Sequence, residues 1–196
     1  MVPLTYTNRK GRTYYLCQGV TKTGKPRYYF ARQPKDEPVE QIPEGYEIRE
    51  SVNGVVSLAK IRPVEILPEE VAAVEAEVRR HPRVHNYRVD VKGDQIVVYE
   101  RTGADPDVLV HEMRRLGLVV PGRGDLLRET LDRRARFSPV MRFILLNKTA
   151  RTFRAERWCY LGSIDDWISV GPIGPVDRLA RQLIPRLGTD AFFEVY

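Results

Sequence analysis

The sequence lacks most of the features that identify a catalytic or a membrane protein. It has two cysteines and three histidines, too few for a disulfide framework or a cysteine-based zinc site. Its longest apolar runs, such as residues 143–146, are far too short to span a bilayer. It contains no Walker loop, no nucleophile-elbow serine and no Gly-x-Gly-x-x-Gly sequence. We therefore expect a protein with no cofactor, no metal and no membrane span.

An apolar leader is also missing, which predicts a cytoplasmic protein. Residues 1–4 lead directly into polar and basic residues, so we expect no signal peptide. Cys17 and Cys159 fall in predicted strands, where we expect buried thiols. Apolar residues make up 42% of the chain and charged residues 30%, a composition that predicts a folded core.

Negative charge is missing from one stretch, Thr5–Lys35. This stretch holds eight Lys or Arg and no Asp or Glu, whereas residues 36–196 carry 24 basic and 26 acidic side chains. The net charge of +6 is therefore concentrated at one end of the sequence. Five of the ten tyrosines lie there too: Tyr6, Tyr14, Tyr15, Tyr28 and Tyr29. Charge segregation of this kind bears on binding partners more than on the fold.

Two runs of strand-forming residues in this stretch, Arg12–Gln18 and Arg27–Arg32, flank a turn at Thr21–Gly24. Such runs around a glycine-containing turn predict a β-hairpin, with Gly24 at the position that requires a positive φ. The expected register places Gln18 opposite Arg27. Strand alternation then gives a core face with Tyr15, Cys17, Tyr28 and Phe30. The opposite face carries Arg12, Tyr14, Gln18, Arg27 and Tyr29.

A β-surface with tyrosine rings among cations predicts non-catalytic binding of nucleic acid. Cations neutralise phosphates and aromatic rings stack on unpaired bases, which favours RNA or single strands over duplex DNA. The predicted binding residues are Arg9, Lys10, Arg12, Lys22, Lys25 and Arg27 for phosphates, with Tyr14 and Tyr29 for bases. Two alternatives stay open: a solvated hairpin whose charges prevent edge-to-edge pairing, and a ribbon that docks on an acidic protein partner.

A second hairpin is predicted after a proline-rich, charged loop at residues 33–44. Gly45–Val52 and Val55–Ile61 flank Asn53-Gly54, a strong hairpin signal. We expect the two hairpins to form one small sheet, covered on one face by the helix that follows. The sequence thus predicts a basic double-hairpin module at residues 1–63 and an α/β body at residues 64–196. A further boundary near residue 137 stays open.

Helices and strands alternate over residues 68–147. A helix is expected between Pro68 and Pro82, then two strands joined by a tight turn, two further helices and a strand. This order is similar to that of a type II KH domain, a single-stranded nucleic-acid module. The resemblance places residues 119–125 where that family has its Gly-x-x-Gly loop. Asp125 stands in place of the second glycine, where a carboxylate would repel phosphate, and a turn between two packed helices is the alternative.

The last quarter of the chain predicts a hairpin around residues 148–150 and a helix from Pro175. Pro185 should kink or end that helix, and residues 191–196 are expected to form an edge strand. The whole chain is therefore predicted to be α+β, with a predominantly antiparallel sheet.

Three groups of residues could form a catalytic or metal-binding site, and each also has a structural interpretation. Asp90-Val91-Lys92 has the spacing of half of a Mg²⁺-dependent nuclease site, which is a third possible function. The alternative is that these residues lie on a solvated strand face. His81 and His85 are four residues apart, but a proline between them breaks the helix that would align them as metal ligands. Asp165-Asp166 could bind a metal, although adjacent acids more often lie in turns.

Overall fold

The chain folds as an α+β protein, as the sequence predicts. A computed structural model describes residues 2–34, 36–118, 124–161, 164–192 and 194. Within this part of the chain, four helices and eleven strands form, with the strands in three antiparallel sheets. The chain divides into two compact units. The first unit comprises Met1–Arg62 with Pro106–Ala135, and the second comprises Pro63–Asp105 with Arg136–Tyr196.

The helices and strands have the following bounds in chain order. The first half contains β1 (Thr5–Thr7), β2 (Thr13–Val20), β3 (Pro26–Ala31), β4 (Glu37–Pro38), β5 (Tyr46–Glu50), β6 (Val56–Lys60), α1 (Pro68–Arg80), β7 (Tyr87–Lys92) and β8 (Gln95–Thr102). The second half contains α2 (Pro106–Arg115), α3 (Gly124–Arg134), β9 (Arg136–Asn147), β10 (Thr152–Leu161), β11 (Ile164–Gly174) and α4 (Val176–Leu183). Short 3-10 turns lie at Val84–Asn86, Ile184–Arg186 and Asp190–Phe192.

The first unit holds two separate small sheets. Strand β2 pairs with β3 on one side, and with both β1 and β4 on the other. The hairpin β5–β6 forms its own two-stranded sheet, so the prediction of one continuous sheet is wrong. Strand β4, in the proline-rich loop, pairs instead with β2 at Cys17 and Gln18. Helices α2 and α3 pack against each other in the same unit.

The second unit is a five-stranded antiparallel sheet in the order β11-β10-β9-β8-β7. Helices α1 and α4 cover one of its faces, and the core cluster joins Val74 and Val78 of α1 and Leu179 of α4 to sheet residues such as Phe143 and Phe153. The expectation that α1 covers the amino-terminal hairpins is therefore wrong. Its buried side chains belong to the core of this second unit.

Two features of the carboxyl-terminal quarter differ from the sequence prediction. Ile164–Gly174, where the sequence predicts no strand, forms β11 and pairs along β10. Asp190–Phe192 forms a 3-10 turn instead of the start of an edge strand, because Phe192 is buried in the core. Residues 193, 195 and 196 of that predicted strand lie outside the described residues. Pro185 ends α4 early, as predicted.

The order helix, strand, strand, helix, helix, strand over residues 68–147 is confirmed. However, the elements that carry the KH resemblance are divided between the units, with α2 and α3 in the first and the others in the second. Residues 119–123 of the expected phosphate-binding loop lie outside the described residues. The domain division at residue 63 stays a prediction, because compact packing does not measure independent folding.

Candidate functional site

The candidate site of the first unit is the hairpin β2–β3, and its register decides which side chains share a face. Gln18 lies opposite Tyr28, and Cys17 opposite Tyr29. The predicted register, with Gln18 opposite Arg27, is wrong by one residue. The backbone N–H of Thr21 donates to the carbonyl of Lys25 at 2.8 Å. This bond leaves a three-residue loop that ends in Gly24, which has the predicted positive φ of 78°.

The shifted register separates the two tyrosines that were expected to form a stacking surface. Because opposite residues of an antiparallel pair share a face, Tyr29 lies with Cys17, and Arg27 lies on the same face opposite Gly19. Tyr14 lies on the other face, in line with Leu16 and Gln18. Leu16 and Cys17 are both fully buried, so both faces of the sheet are covered at its centre. The prediction of one face that carries Tyr14, Tyr29 and Arg27 is therefore wrong.

The phenol of Tyr29 is also already engaged. Its hydroxyl donates a hydrogen bond to the carboxylate of Asp36, and this bond, with a smaller contribution from desolvation, raises the pKa of Tyr29 to about 12. The same carboxylate lies against Gly19, where an added Cβ would stand 2.9 Å from Asp36 Oδ2. The stretch that is free of acidic residues in the sequence therefore has an acidic side chain beside it in space.

The cations near the turn between β1 and β2 contribute to internal structure. Arg9 donates to the carboxylate of Glu50 from its backbone N–H at 3.0 Å and from Nε at 2.7 Å. Tyr6 donates to the same carboxylate at 3.0 Å. Desolvation acts to raise the pKa of Glu50, but the hydrogen bonds from Arg9 and Tyr6 outweigh it and lower that pKa. Lys10 Nζ donates to the carbonyl oxygen of Ala135 at 2.7 Å.

Three cations lie at or next to the turn that joins β2 to β3, and their environment differs from that of Arg9 and Lys10. Lys22, Lys25 and Arg27 are exposed, and no carboxylate of the described residues forms an ion pair with any of them. Arg12 is exposed as well, but it lies at the other end of β2. The eight residues of β2, at about 3.3 Å each, separate Arg12 from the turn by roughly 26 Å. We call Lys22, Lys25 and Arg27 the tip cluster.

The net charge follows the division into units. The first unit carries 17 Lys or Arg and 11 Asp or Glu, a net charge of +6, whereas the second carries 15 of each. The whole excess of positive charge therefore belongs to the unit that contains the tip cluster. Such an excess attracts polyanions at low ionic strength and loses its influence as salt is added.

The other candidate residues lie in places that favour structural roles. Asp90 accepts a hydrogen bond from the backbone N–H of Val91 at 2.9 Å, and Lys92 Nζ lies 5.2 Å from the centre of the Tyr99 ring. Asp165 and Asp166 are exposed on β11 and do not lie in the expected turn.

The histidines have separate partners. Arg83 donates its backbone N–H to His81 Nδ1 at 3.1 Å, so His81 Nε2 carries the proton that is donated to the carbonyl of Leu187, also at 3.1 Å. Burial lowers the pKa of His81, and its role is to join α1 to the 3-10 turn that follows α4. His85 Nε2 lies 3.2 Å from the carboxylate of Asp105. His111 is exposed on α2.

The second unit carries an aromatic surface on strands β10 and β11. Trp158 on β10 lies opposite Trp167 on β11, and their ring centres are 5.2 Å apart in an edge-to-face arrangement. The guanidinium of Arg142 lies 4.3 Å from the centre of the Trp167 ring. The sequence shows both tryptophans, but their pairing becomes visible only once Ile164–Gly174 is known to be a strand.

Comparison of the chain with protein families, with curated proteins and with solved structures gave no match. Among the described residues, no helix has both the length and the apolar character needed to cross a bilayer.

Proposed function

We propose that this protein is a non-catalytic nucleic-acid-binding protein, with RNA or single strands as the favoured ligand, and that the tip cluster supplies its phosphate contacts. The observation that carries the proposal is the exposure of Lys22, Lys25 and Arg27 without an ion-pair partner among the described residues. Exposed cations without ion-pair partners can neutralise phosphates and release counterions.

Of the eight residues predicted to bind, the tip cluster and Arg12 support this role best. Arg9 holds Glu50, Lys10 binds a backbone carbonyl and Tyr29 binds Asp36, so each would have to give up a contact to reach a ligand. Tyr14 is half-buried and lies on the other face from Tyr29. Cations neutralise the phosphates of single and double strands alike, so the preference for unpaired bases depends on aromatic side chains elsewhere.

We also propose a cytoplasmic location. Cys17 and Cys159 are both free and buried, and free thiols persist in a reducing compartment.

A binding titration tests the tip cluster. The double variant Lys22→Glu with Lys25→Glu should lose at least tenfold in affinity for a fluorescent oligouridylate, measured by anisotropy in low salt. For the unchanged protein, three phosphate contacts predict that the logarithm of the association constant falls with the logarithm of salt with a slope of about −2. The variant keeps only Arg27 of the three cations, so its slope should be reduced to about −0.7.

A matched control separates local contact from overall charge. Arg136→Glu with Arg178→Glu makes the same change in net charge at two exposed positions of the second unit. This control should keep its affinity within about twofold. Equal losses in both variants would show that only net charge matters, and unchanged affinity in the tip variant would refute the proposed role.

An acidic protein partner is the second candidate, and one observation favours it. Val20, next to the tip cluster, has 75% of its surface exposed, and an apolar side chain among cations suits a protein surface better than a phosphate backbone. A tip cluster that binds an acidic peptide but no oligonucleotide would support this candidate.

A further inference from the structure

The second unit presents one sheet face that its own helices do not cover. Helices α1 and α4 pack on the face that contains Phe143, Phe153 and Ala155. Because side chains alternate along a strand, Arg154, Glu156, Trp158 and Tyr160 of β10 all point to the other face. Arg142 lies opposite Glu156, and Trp167 opposite Trp158. We call this set, over β9 to β11, the tryptophan face.

The rings of the tryptophan face are accessible. Tyr160 has 77% of its surface exposed, and both tryptophans are half-buried. Trp158 and Tyr160 are two residues apart on one strand, which spaces them about 6.6 Å along the sheet. Contiguous aromatic surface of this kind marks interaction sites, and its rings can stack on flat ligands.

Three charged residues of this face, Arg142, Arg154 and Glu156, form ion pairs with one another. Glu156, of which 7% of the side chain is exposed, binds Arg142 at 2.6 Å and Arg154 at 2.9 Å. The side chain of Arg154 remains 42% exposed. Arg142 is fixed between this carboxylate and the ring of Trp167, so one face of that ring is covered by a cation. The partly exposed guanidinium of Arg154 lies on the same face as the rings of Trp158 and Tyr160, an arrangement that suits a ligand with both flat rings and a phosphate.

We propose that the tryptophan face binds the unpaired bases of a single-stranded nucleic acid, with bases stacked on Trp158 and Tyr160 and a phosphate near Arg154. This inference rests on the proposed function for the class of ligand, but it concerns a separate surface, in the other unit, that selects single strands. Duplexes present no free ring face. Asp165, opposite Tyr160, is exposed and repels phosphate, so a base and not the backbone lies over this end of the strand.

The chain's own fluorescence tests the proposal directly. Its two tryptophans both lie on this face, so their emission reports this surface and no other. Adding a short oligouridylate to the full-length protein should quench the emission until the signal saturates. Double-stranded RNA of the same length should leave the emission unchanged. Free N-acetyltryptophanamide in the same solution corrects for absorption by the oligonucleotide.

Two substitutions at one exposed position give a matched pair. Tyr160→Leu removes the ring but keeps an apolar side chain, and should weaken binding of the single strand about tenfold, which is what one stacked base contributes. Tyr160→Phe keeps the ring and should bind as the unchanged protein does. Since the position is 77% exposed, neither change should affect folding.

The possible outcomes separate this inference from the proposed function. Anisotropy binding that depends on the tip cluster, without quenching and without an effect of Tyr160→Leu, would overturn the inference and leave the proposed function intact. Failure of every oligonucleotide to bind in low salt would overturn both. Tryptophan emission that changes with protein concentration alone would overturn the inference by showing that a second copy covers this face.

Discussion

The side-chain amide of Asn8 donates a hydrogen bond to the backbone carbonyl of Gly54 at 2.6 Å. This bond joins the turn between β1 and β2 to the turn between β5 and β6, two hairpins that share no strand pairing. Asn8 is 4% exposed, and its Oδ1 accepts from the backbone N–H groups of Lys10 and Arg12 at 3.0 and 2.9 Å. Gly54 has a φ of 74°, and an added Cβ there would stand 3.1 Å from Asn8 Nδ2.

Asn8→Ala should lower the free energy of unfolding by about 2–4 kcal/mol, because it leaves buried backbone groups without partners. Urea denaturation measures the change. Asn8→Asp keeps the acceptor for Lys10 and Arg12 but loses the donor to Gly54, and should fall between the unchanged protein and Asn8→Ala. Equal stability of all three proteins would contradict the role given to this side chain.

Substitution of Arg9 should mainly lower stability, whereas substitution of Lys22 should mainly lower the affinity for an oligonucleotide. Arg9→Ala removes the ion-pair partner of Glu50, whose side chain is 11% exposed, and should lower stability by about 1 kcal/mol with less than a twofold change in oligonucleotide affinity. Lys22→Ala should lower affinity and leave the denaturation midpoint unchanged. Anisotropy and urea denaturation on both variants give the comparison. A larger loss of affinity from Arg9→Ala than from Lys22→Ala would mean that Arg9 leaves Glu50 to bind the ligand.

The bond between Tyr29 and Asp36 predicts a late titration of this phenol. The hydrogen bond raises the pKa of Tyr29 from 10.0 to about 12, so the folded state favours the protonated phenol. Its contribution to stability is present in full below pH 10 and is lost as the pH rises towards 12. In Asp36→Asn the Tyr29 signal should titrate earlier, as followed by NMR of the ring carbon that bears the hydroxyl. An unchanged titration would show that the bond is absent in solution.

His81 predicts a loss of stability in mild acid. Burial lowers its pKa below the ordinary value of 6.5, so the unfolded chain binds a proton more readily than the folded protein does. The stabilising contribution is therefore present above pH 6.5 and is lost as the pH falls through the folded-state value. His81→Gln, which retains a donor for Leu187, should show a flatter pH dependence of the melting temperature. His111→Gln, at an exposed position, is the control and should follow the unchanged protein.

Glu70 joins the start of α1 to the turn between β9 and β10. It accepts from the backbone N–H of Leu67 at 2.8 Å and from Arg151 Nε at 2.8 Å, and its side chain is 10% exposed. Glu70→Ala removes the capping bond and leaves the charge of Arg151 without this partner, and should lower the free energy of unfolding by about 2–3 kcal/mol. Lys148→Ala breaks a neighbouring but exposed ion pair with Glu65 and should change stability by less than 1 kcal/mol.

Elements marked by local signals could be predicted with nearly their observed bounds. Pro68 and the charges at its two ends define α1, and Gly24 takes the predicted left-handed conformation. Asn53-Gly54 marks the second hairpin, which closes with Gly54 at a positive φ. These features depend on a few neighbouring residues, so a single sequence is enough to locate them.

The face of the amino-terminal hairpin depends on the register between β2 and β3, and the tryptophan face depends on the pairing of β11 with β10. The sequence specifies both weakly. Tyr14 and Tyr29 exchange faces with a shift of one residue, and the turn around Gly24 is compatible with either register. Strand β11 contains two adjacent aspartates and ends in a Gly-Pro-Ile-Gly run, so its own residues favour a loop. It forms a strand because β10 offers a complete edge along which Trp167 can pair with Trp158.

The sequence by itself determined the α+β class, the caps and turns, and the excess of positive charge, because these follow from residue identity and short-range geometry. The tertiary structure decided which of those positively charged side chains are held by contacts within the protein and which remain available to bind a ligand. Glu50, Asp36 and the carbonyl of Ala135 come from other parts of the chain and engage Arg9, Tyr29 and Lys10. Electrostatic and hydrogen-bond energies depend on distance in space and not on separation along the chain, so only the folded chain distinguishes the tip cluster from the rest.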